Sequence, residues 1–335
     1  MFSCSKEELG PQCVLCETEQ EVTPTNTDVL IVNEGSFGNS AGTISRYQPP
    51  SKTVSNNLFS QTNGTVIGSV AQSAYQIDNK AYIVVNNSNK IEVIDINDFT
   101  SLHTITGFNP PRYFLPINQH RAYVTDLYSN SIQIVDLNSN SITGNIPVQG
   151  WTEELLLHND TVYVCDMTNN NLLIIDPNTN TLVDSVKLGE SPNSMVVDKD
   201  SMLWIMCDGG FASSSPQLIK FNPQTRTKTT TYTFGNVSES PSNLKINATG
   251  DGLYFVNEHL YKMGIYENNL TTTPLITSNG NTFYEIGIDP TSEEIYIADA
   301  IDYIQNGTVY RHSSTGELLH QFNAGVIPGY FLFVE

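Results

Sequence analysis

The chain contains few charged residues, and most of those it has are acidic. Asp, Glu, Lys and Arg make up 15% of its 335 residues, and 15 basic residues against 35 acidic ones leave a formal charge of −20. Nucleic acids need clustered Lys and Arg to neutralise their phosphates, so this balance argues against binding to DNA or RNA. The sequence also has no run of 18 apolar residues that could cross a bilayer as a helix.

The motifs of common catalytic sites are also missing. There is no G-x-S-x-G, no phosphate-binding loop of the G-x-x-x-x-G-K type and no G-x-G-x-x-G before a helix. No two of the six histidines have the spacing of metal ligands. We therefore expect a protein that is not an enzyme, with no catalytic residues and no cofactor.

Hydrophobic and aromatic residues are plentiful by contrast. They include 16 Tyr and 14 Phe, and 39% of the chain is hydrophobic. A chain of this composition can bury a core, so intrinsic disorder is not expected. The combination of many aromatic and few charged residues favours buried strands over solvated helices.

The first residues suggest a lipid anchor. Met1-Phe2-Ser3-Cys4 is similar to the end of a bacterial lipoprotein signal, in which Cys4 would become the acylated N-terminus. Lys6-Glu7-Glu8 resembles the surface-export signal of Bacteroidetes lipoproteins. An ordinary cytosolic start with an incidental cysteine is the alternative. Residues 1–27, polar and rich in Glu, Thr and Pro, are predicted to form a signal remnant and flexible tether.

The other cysteines do not predict a metal site. Cys13 and Cys16 form a C-x-x-C without a second pair or a following His, so a local disulfide or two unused thiols are the open readings. Cys165 and Cys207 lie inside apolar strands and are predicted to be small core residues.

Residues 28–335 consist of seven similar units. Each contains an alternating apolar strand, here called the anchor strand, that ends in Asn or Asp. From the second unit onward, an aromatic residue marks this strand at steps of 41, 40, 41, 50 and 42 residues. The aromatic residues are Tyr82, Tyr123, Tyr163, Trp204, Tyr254 and Tyr296. Four short antiparallel strands in about 40 residues are typical of a propeller blade. The sequence predicts an all-β, seven-bladed β-propeller.

The two ends of the repeat are complementary. The first unit begins directly with its anchor strand at Asp28-Val29-Leu30 and lacks the inner strand that precedes it elsewhere. Residues 327–335 match that missing strand. The C-terminal strand is therefore predicted to complete blade one and to remove an open sheet edge.

Two sets of loops should meet around the central channel on one face. They are the lead-in loops before the inner strands and the anchor loops after the anchor strands. Amides and aromatics with few charges there suit a large neutral ligand with amide edges and apolar faces. The predicted ligand-binding residues are Phe37, Gln72, Arg112, Tyr128, Trp151, Glu153, Asn193, Phe211, His259, Tyr284, Tyr303 and Tyr330.

Some of these residues also have a purely structural interpretation. Arg112 could serve only to bridge to Glu153 or Glu154, and Trp151 could fill space between blades. The Asn or Asp that recurs once per blade fits turn chemistry better than a ring of metal ligands.

The repeat resembles the YncE-like seven-bladed propellers, and more specifically the cobalamin-binding surface lipoproteins of the BtuG type in Bacteroidetes. This resemblance covers about residues 28–335. The segments that carry it are Asn33-Glu34-Gly35-Ser36-Phe37-Gly38-Asn39, Ser69-Val70-Ala71-Gln72-Ser73, Tyr82-Ile83-Val84-Val85-Asn86-Asn87-Ser88, Pro111-Arg112-Tyr113, Cys207-Asp208-Gly209-Gly210, Ile297-Ala298-Asp299-Ala300-Ile301-Asp302-Tyr303 and Gly325-Val326-Ile327-Pro328-Gly329.

The resemblance implies capture of a ligand without catalysis. The expected ligand is cobalamin or a related corrinoid, which would pass to a TonB-dependent receptor of the BtuB type. The expected location is the cell surface, on an outer membrane that holds the lipid on Cys4.

Two other classes of function stay open. The propeller could be a scaffold that binds a glycan, haem or a surface protein. It could also be a metal-dependent, lactonase-like hydrolase with inward carboxylates around a divalent ion. The carboxylates available for such a site are Glu34, Glu153, Glu154, Glu258 and Glu285.

Overall fold

The predicted seven-bladed β-propeller is confirmed. A computed structural model describes residues 27–334. Their strands form seven separate antiparallel sheets. The innermost strand of each sheet contacts the innermost strands of the two neighbouring sheets, so the seven form a closed ring. The predictions for Cys4, Cys13 and Cys16 lie outside the described residues.

Blades 1 to 4 each contain four strands. Those of blade 1 are β1 (Val29–Asn33), β2 (Thr43–Gln48) and β3 (Thr53–Ser55), completed by the last strand of the chain. Those of blade 2 are β4 (Ala71–Ile77), β5 (Lys80–Val85), β6 (Lys90–Asp95) and β7 (Ser101–Thr106). Those of blade 3 are β8 (Pro111–Asn118), β9 (Arg121–Asp126), β10 (Ser131–Asp136) and β11 (Ser141–Pro147). Those of blade 4 are β12 (Thr152–His158), β13 (Thr161–Asp166), β14 (Asn171–Asp176) and β15 (Thr181–Lys187).

The strands of blades 5 to 7 follow the same order, and the sheet of blade 6 is irregular. Those of blade 5 are β16 (Pro192–Val197), β17 (Leu203–Cys207), β18 (Gln217–Asn222) and β19 (Thr227–Thr233). Those of blade 6 are β20 (Ser242–Ile246), β21 (Gly252–Asn257) and β22 (His259–Gly264). Those of blade 7 are β23 (Phe283–Ile288), β24 (Ile295–Asp299), β25 (Asn306–His312) and β26 (Leu318–Val326), after which β27 (Pro328–Phe333) returns to blade 1.

Two local features depart from the regular repeat. In blade 6 the fourth strand is reduced to a single bridge between Leu260 and Ile276. Between β3 and β4 the chain forms a helix, α1 (Leu58–Asn63), although no sequence window shows helical periodicity. With six residues it is too short for such a period, and Phe59 is its buried residue. A single 3-10 turn, Asn86–Ser88, follows β5.

The hydrophobic core lies between the blades. In β5, Ala81 and Ile83 pack toward blade 1, whereas Tyr82 and Val84 pack toward blade 3, where the Tyr82 ring stacks on Phe114 at 4.7 Å. Successive side chains of a strand point to opposite faces, so both faces of a blade are apolar and both need a neighbouring blade. Cys165 and Cys207 are fully buried in this core, as predicted.

The C-terminal strand closes the ring as predicted. β27 pairs antiparallel with β1, from Val29 opposite Phe333 to Val32 opposite Tyr330. Further along, the backbone N–H of Glu34 donates to the carbonyl of Ile327 at 2.8 Å. The last strand of the chain is therefore hydrogen-bonded to the first.

Removal of residues 328–335 should destabilise the whole ring. The deletion exposes the edge of β1 and the apolar faces of blades 1 and 7, which favours edge-to-edge association. We expect a much lower urea midpoint and soluble oligomers in light scattering. A truncated chain that stays monomeric with an unchanged midpoint would contradict the closure.

A point substitution in β27 tests the same ring closure without removing the strand. Phe331 is 7% exposed and packs on Gly287 and Tyr296 of blade 7. Phe331→Ala should lower the free energy of unfolding by about 3–5 kcal/mol, measured by urea denaturation. Leu318→Ala, at an exposed position of β26, is the matched control and should change it by less than about 0.5 kcal/mol.

Candidate functional site at the mouth of the central channel

A β-bulge lies near the start of every inner strand. In β4, β16 and β23 the extra residues are Gln72, Asn193 and Tyr284. In β8 and β12 the irregular positions include Arg112 and Glu153. A bulge bends a strand and redirects its side chains. Five of the predicted ligand-binding residues therefore lie at one level of the ring, at the end where the chain enters each inner strand.

Arg112 and Glu153 join three neighbouring blades. The Arg112 guanidinium donates through Nε and Nη2 to the two Glu153 carboxylate oxygens, at 2.8 and 3.0 Å, and through Nη1 to Gln72 Oε1 at 2.5 Å. The Trp151 indole also donates to Glu153, and its ring lies 5.8 Å from the Arg112 guanidinium carbon. Sequence analysis left open whether Arg112 bridges to a glutamate, and the structure shows that it does.

This ion pair is almost closed to solvent. The side chains of Arg112 and Glu153 are 17% and 4% exposed. Burial by itself would lower the pKa of Arg112, but the charge and hydrogen bond of Glu153 together with Tyr113 and Glu34 outweigh it, and the pKa is raised. A buried guanidinium with two carboxylate bonds and an amide bond has its charge compensated, so it is a rigid part of the site.

Glu34 and two tyrosines form a second group. The Tyr284 hydroxyl donates to Glu34 Oε1 at 2.9 Å, and the Tyr303 ring packs edge-on against Tyr284 at 5.9 Å. Burial raises the pKa of Glu34 to about 7, although the Tyr284 hydrogen bond and the Arg112 charge both oppose this. Burial and the Glu34 charge raise the pKa of Tyr284 in turn. Tyr303 thus connects an exposed loop to a buried carboxyl in the channel.

A third group includes a lysine that sequence analysis missed. Lys245 Nζ lies 3.2 Å from Glu285 Oε1 and 5.9 Å from the centre of the Tyr330 ring. Nearby, Glu154 accepts a hydrogen bond from the Met195 backbone N–H at 2.9 Å. Burial raises the pKa of Glu154 to about 7, and the Lys245 charge opposes the rise.

A small cavity lies next to the Lys245 group. This cavity of about 250 Å³ is bounded by the Lys245 group and by apolar side chains. Its apolar lining includes Val196, Ile288, Phe331 and Phe333. Tyr330 therefore lies on the inner strand of blade 1, where it lines this cavity beside Lys245.

Four anchor loops carry exposed aromatic side chains. The exposed fractions are 73% for Phe37, 68% for Tyr128, 95% for Phe211 and 46% for Tyr303. These loops follow the anchor strands of blades 1, 3, 5 and 7 and therefore lie on one face of the propeller. Large aromatic side chains exposed on one face are typical of a binding surface.

An Asp at the end of the anchor strands of blades 3, 5 and 7 shapes the loop that follows. Asp126 accepts a hydrogen bond from the Tyr128 backbone N–H at 3.3 Å, and Asp208 accepts one from Gly210 at 2.9 Å. Asp299 accepts one from Ile301 at 2.9 Å. Side-chain-to-backbone bonds of this kind hold tight turns, so the recurring Asp acts in turn chemistry.

The remaining predicted residues have other surroundings. Asn193 donates from its amide to Asp208 at 3.3 Å, next to the loop of Phe211. His259 is half-buried, lies 3.2 Å from the Ser278 hydroxyl and stacks near Tyr261, so it does not join the channel network. The structure thus joins Gln72, Arg112, Trp151 and Glu153 in one network.

Four of the five carboxylates considered for a metal site are held by other partners. No group of three or more His, Cys, Asp or Glu able to hold a metal ion is found within residues 27–334. Glu34 accepts from Tyr284, Glu153 from Arg112, Glu154 from the Met195 N–H, and Glu285 pairs with Lys245. Glu258 is exposed on its loop. In the same range, no helix has the length and hydropathy to cross a membrane.

The chain belongs to the family described as domain of unknown function DUF5074, whose model matches residues 27–333. No match is found among curated proteins. The family match extends over all seven blades, so the propeller and its channel mouth are the family domain.

Solved structures show similarity of fold. A quinoprotein alcohol dehydrogenase-like protein from Bacteroides thetaiotaomicron has a TM-score of 0.71 at 15% identity, covering 92% of this chain and 78% of its own. A candidate 6-phosphogluconolactonase from Bacteroides uniformis has a TM-score of 0.71 at 13% identity, covering 92% and 100%. The periplasmic gluconolactonase PpgL of Pseudomonas aeruginosa has a TM-score of 0.68 at 11% identity, covering 92% and 99%.

The buried Glu34 carboxyl predicts a pH dependence of stability. Its pKa in the folded chain is about 7 against an ordinary 4.5, so the folded state binds the proton more tightly. The stability contributed by this proton is present at low pH and is lost as the pH rises from about 4.5 to about 7. Glu34→Gln, which keeps the acceptor for Tyr284, should raise the free energy of unfolding at pH 8 by up to about 3 kcal/mol relative to its effect at pH 4.5.

Urea denaturation at both pH values measures this difference. Glu317→Gln at an exposed position is the control and should leave the pH dependence unchanged. Equal effects of Glu34→Gln at both pH values would show that the pKa of Glu34 in the folded chain is not raised above its ordinary value.

Proposed function

We propose that this propeller captures cobalamin or a related corrinoid at the channel mouth and releases it unchanged to a TonB-dependent outer-membrane receptor. The observation that carries the proposal is the set of exposed aromatic side chains on the anchor loops, on the face that also holds the polar channel network. The sequence resemblance to cobalamin-binding propellers supplies the ligand class.

The chemistry of the face suits such a ligand. A corrinoid is a large macrocycle with broad apolar faces and amide side chains around its edge. Phe37, Tyr128, Phe211 and Tyr303 offer flat apolar contact, and the amides of Gln72 and neighbouring polar groups offer hydrogen bonds. Aromatic rings give large contact areas at a low cost in side-chain entropy.

The charged groups at the mouth also favour a ligand whose binding edge is uncharged. Arg112 is bonded to Glu153 and Gln72, and Lys245 pairs with Glu285. A ligand anion would have to displace a carboxylate from a buried ion pair, which is costly. A neutral amide-rich ligand needs no such exchange, so the network supports capture of a neutral compound.

Capture without turnover is part of the proposal. The carboxylates of the channel are engaged by Arg112, Tyr284, the Met195 N–H and Lys245. A hydrolase built on them would have to release at least one of these partners before it could bind a metal ion or activate water.

Location at the cell surface completes the proposal. Its support is the sequence around Cys4, whose acylation would hold the propeller on the outer membrane near the receptor. A single lipid chain gives only weak membrane binding, so multiple acyl chains on Cys4 are required for stable anchoring.

Titration calorimetry of the chain with cyanocobalamin tests the ligand. We expect saturable 1:1 binding with a micromolar or tighter dissociation constant. Trp151→Ala, Phe211→Ala and Tyr303→Ala should each weaken binding by about 5- to 30-fold, the usual cost of losing 1–2 kcal/mol of aromatic contact.

Tyr266→Ala is the matched control. Tyr266 is 64% exposed, but it contacts Lys199 and Asp200 in the turn between the inner and anchor strands of blade 5. This turn lies at the end of the blade away from the anchor loops, so binding should be unchanged. The corrinoid proposal is contradicted if the titration gives no heat of binding and excess cyanocobalamin does not raise the melting temperature.

A further inference from the structure

A groove of about 900 Å³ with a mixed polar and apolar lining lies between blades 3 and 4, outside the channel network. Its volume falls at the upper end of the range for small-molecule sites. None of the residues that line it belongs to the groups of Arg112, Glu34 or Lys245. The lining residues are Asn130, Pro147, Val148, Gln149, Gly150, Asp166, Thr168, Asn169, Asn171, Leu173, Leu182 and Ser185.

Hydrogen bonds across the interface hold the groove in shape. The Asn169 amide donates to the Gln149 carbonyl at 2.7 Å and to the Asp166 carboxylate at 3.0 Å. Asn130 Oδ1 accepts the Gly150 backbone N–H at 3.0 Å. These bonds join the loops of two blades, so the walls are fixed before any ligand arrives.

Gly150 allows the two loops to approach closely. Its φ is +86°, and a Cβ at this position would lie 2.5 Å from the Thr168 Cβ. Only glycine fits such a position without displacing its neighbour. Where Gly150 and Thr168 meet, the groove is therefore lined by backbone and a small side chain.

Several polar groups in the groove remain available for a ligand. The Gln149 amide and the Ser185 hydroxyl make no hydrogen bond to other described residues, and both side chains are exposed. Thr168 accepts the Trp151 backbone N–H at 2.8 Å and keeps its own proton to donate. These groups can donate and accept hydrogen bonds without an ionic partner.

Aliphatic surface lies beside these groups. Leu182 is 40% exposed, and the exposed Pro147 adds apolar surface on the other wall. The groove thus alternates amide and hydroxyl groups with flat aliphatic patches. A ring that has C–H groups on its faces and hydroxyls around its edge fits both kinds of surface.

The charged residues in and near the groove disfavour ligands that carry a charge. No Lys or Arg is among its lining residues, the nearby Lys187 ammonium donates to the Asn169 carbonyl at 2.7 Å, and the chain carries a formal charge of −20, which disfavours anions. Its one carboxylate, Asp166, is buried and bonded to Asn169, so it is not presented to a cation. Neutral, hydroxyl-rich compounds remain.

We infer that this groove is a binding site for a neutral oligosaccharide. Gln149, Ser185 and Thr168 contact the sugar hydroxyls, and Leu182 packs against the face of a sugar ring. The site lies beside the channel mouth, between the lead-in and anchor loops of blade 4, and the Trp151 indole turns away from it toward Glu153 and Arg112. The inference does not depend on the corrinoid proposal.

Titration calorimetry with maltohexaose, cellohexaose, mannohexaose and xylohexaose tests the inference on the full chain. At least one hexasaccharide should bind with a dissociation constant below about 5 mM, the weak end of specific recognition. Gln149→Ala should weaken that binding by about 5- to 10-fold, the loss expected for a hydrogen bond of about 1 kcal/mol.

Ser185→Arg should abolish binding by filling the groove, and Thr231→Arg is the matched control. Thr231 is also exposed and faces Ile219 in the register in which Ser185 faces Leu173, but it lies one blade further on. The inference is overturned if no hexasaccharide binds, or if Ser185→Arg and Thr231→Arg have equal effects. Cyanocobalamin titration of Ser185→Arg should match the parent chain, which separates this site from the channel mouth.

Discussion

The structure depends on the fact that each blade is apolar on both faces. The anchor strand β5 shows why, since Tyr82 and Ala81 are adjacent in sequence but pack toward different neighbouring blades. A single sheet of this kind cannot bury both faces, and a row of sheets would leave two faces uncovered. Only a closed ring satisfies all seven, which is why β27 must return to β1. The same closure brings all lead-in and anchor loops around one channel.

Closure also determines what the channel contains. The apolar surfaces are used between blades, so the inner ends of the strands present polar and charged groups to one another. A buried charge is stable only with a partner, because desolvation costs several kcal/mol per ion. Arg112 with Glu153 and Lys245 with Glu285 meet this need across blade boundaries. The channel mouth is thereby rigid, and its charges are compensated before a ligand arrives.

Sequence alone predicted the elements that rest on local patterns. The anchor strands, the closing strand and the exposed Phe211 follow from alternation, period and a glycine-rich turn. The role of Lys245 could not be predicted in this way, because no sequence pattern in Ser242-Asn243-Leu244-Lys245-Ile246 indicates the bulge that redirects β20. The position of His259 after an anchor strand predicts that it lies at the mouth, but its contact with Ser278 depends on the irregular edge of blade 6. The groove at Gly150 arises from loops of two blades and has no sequence period.

The conformation of the anchor loops bears on what the face is for. Phe211 and Tyr303 have positive φ angles of 56° and 65°, which cost a non-glycine residue about 1 kcal/mol each. Asp208 and Asp299 hold these turns through backbone N–H groups. Packing does not offset this conformational free energy at Phe211, because the residue is 95% exposed and its ring makes few contacts with the rest of the chain. A turn that presents an aromatic ring to solvent leaves that ring available for the ligand contact that we propose at this face.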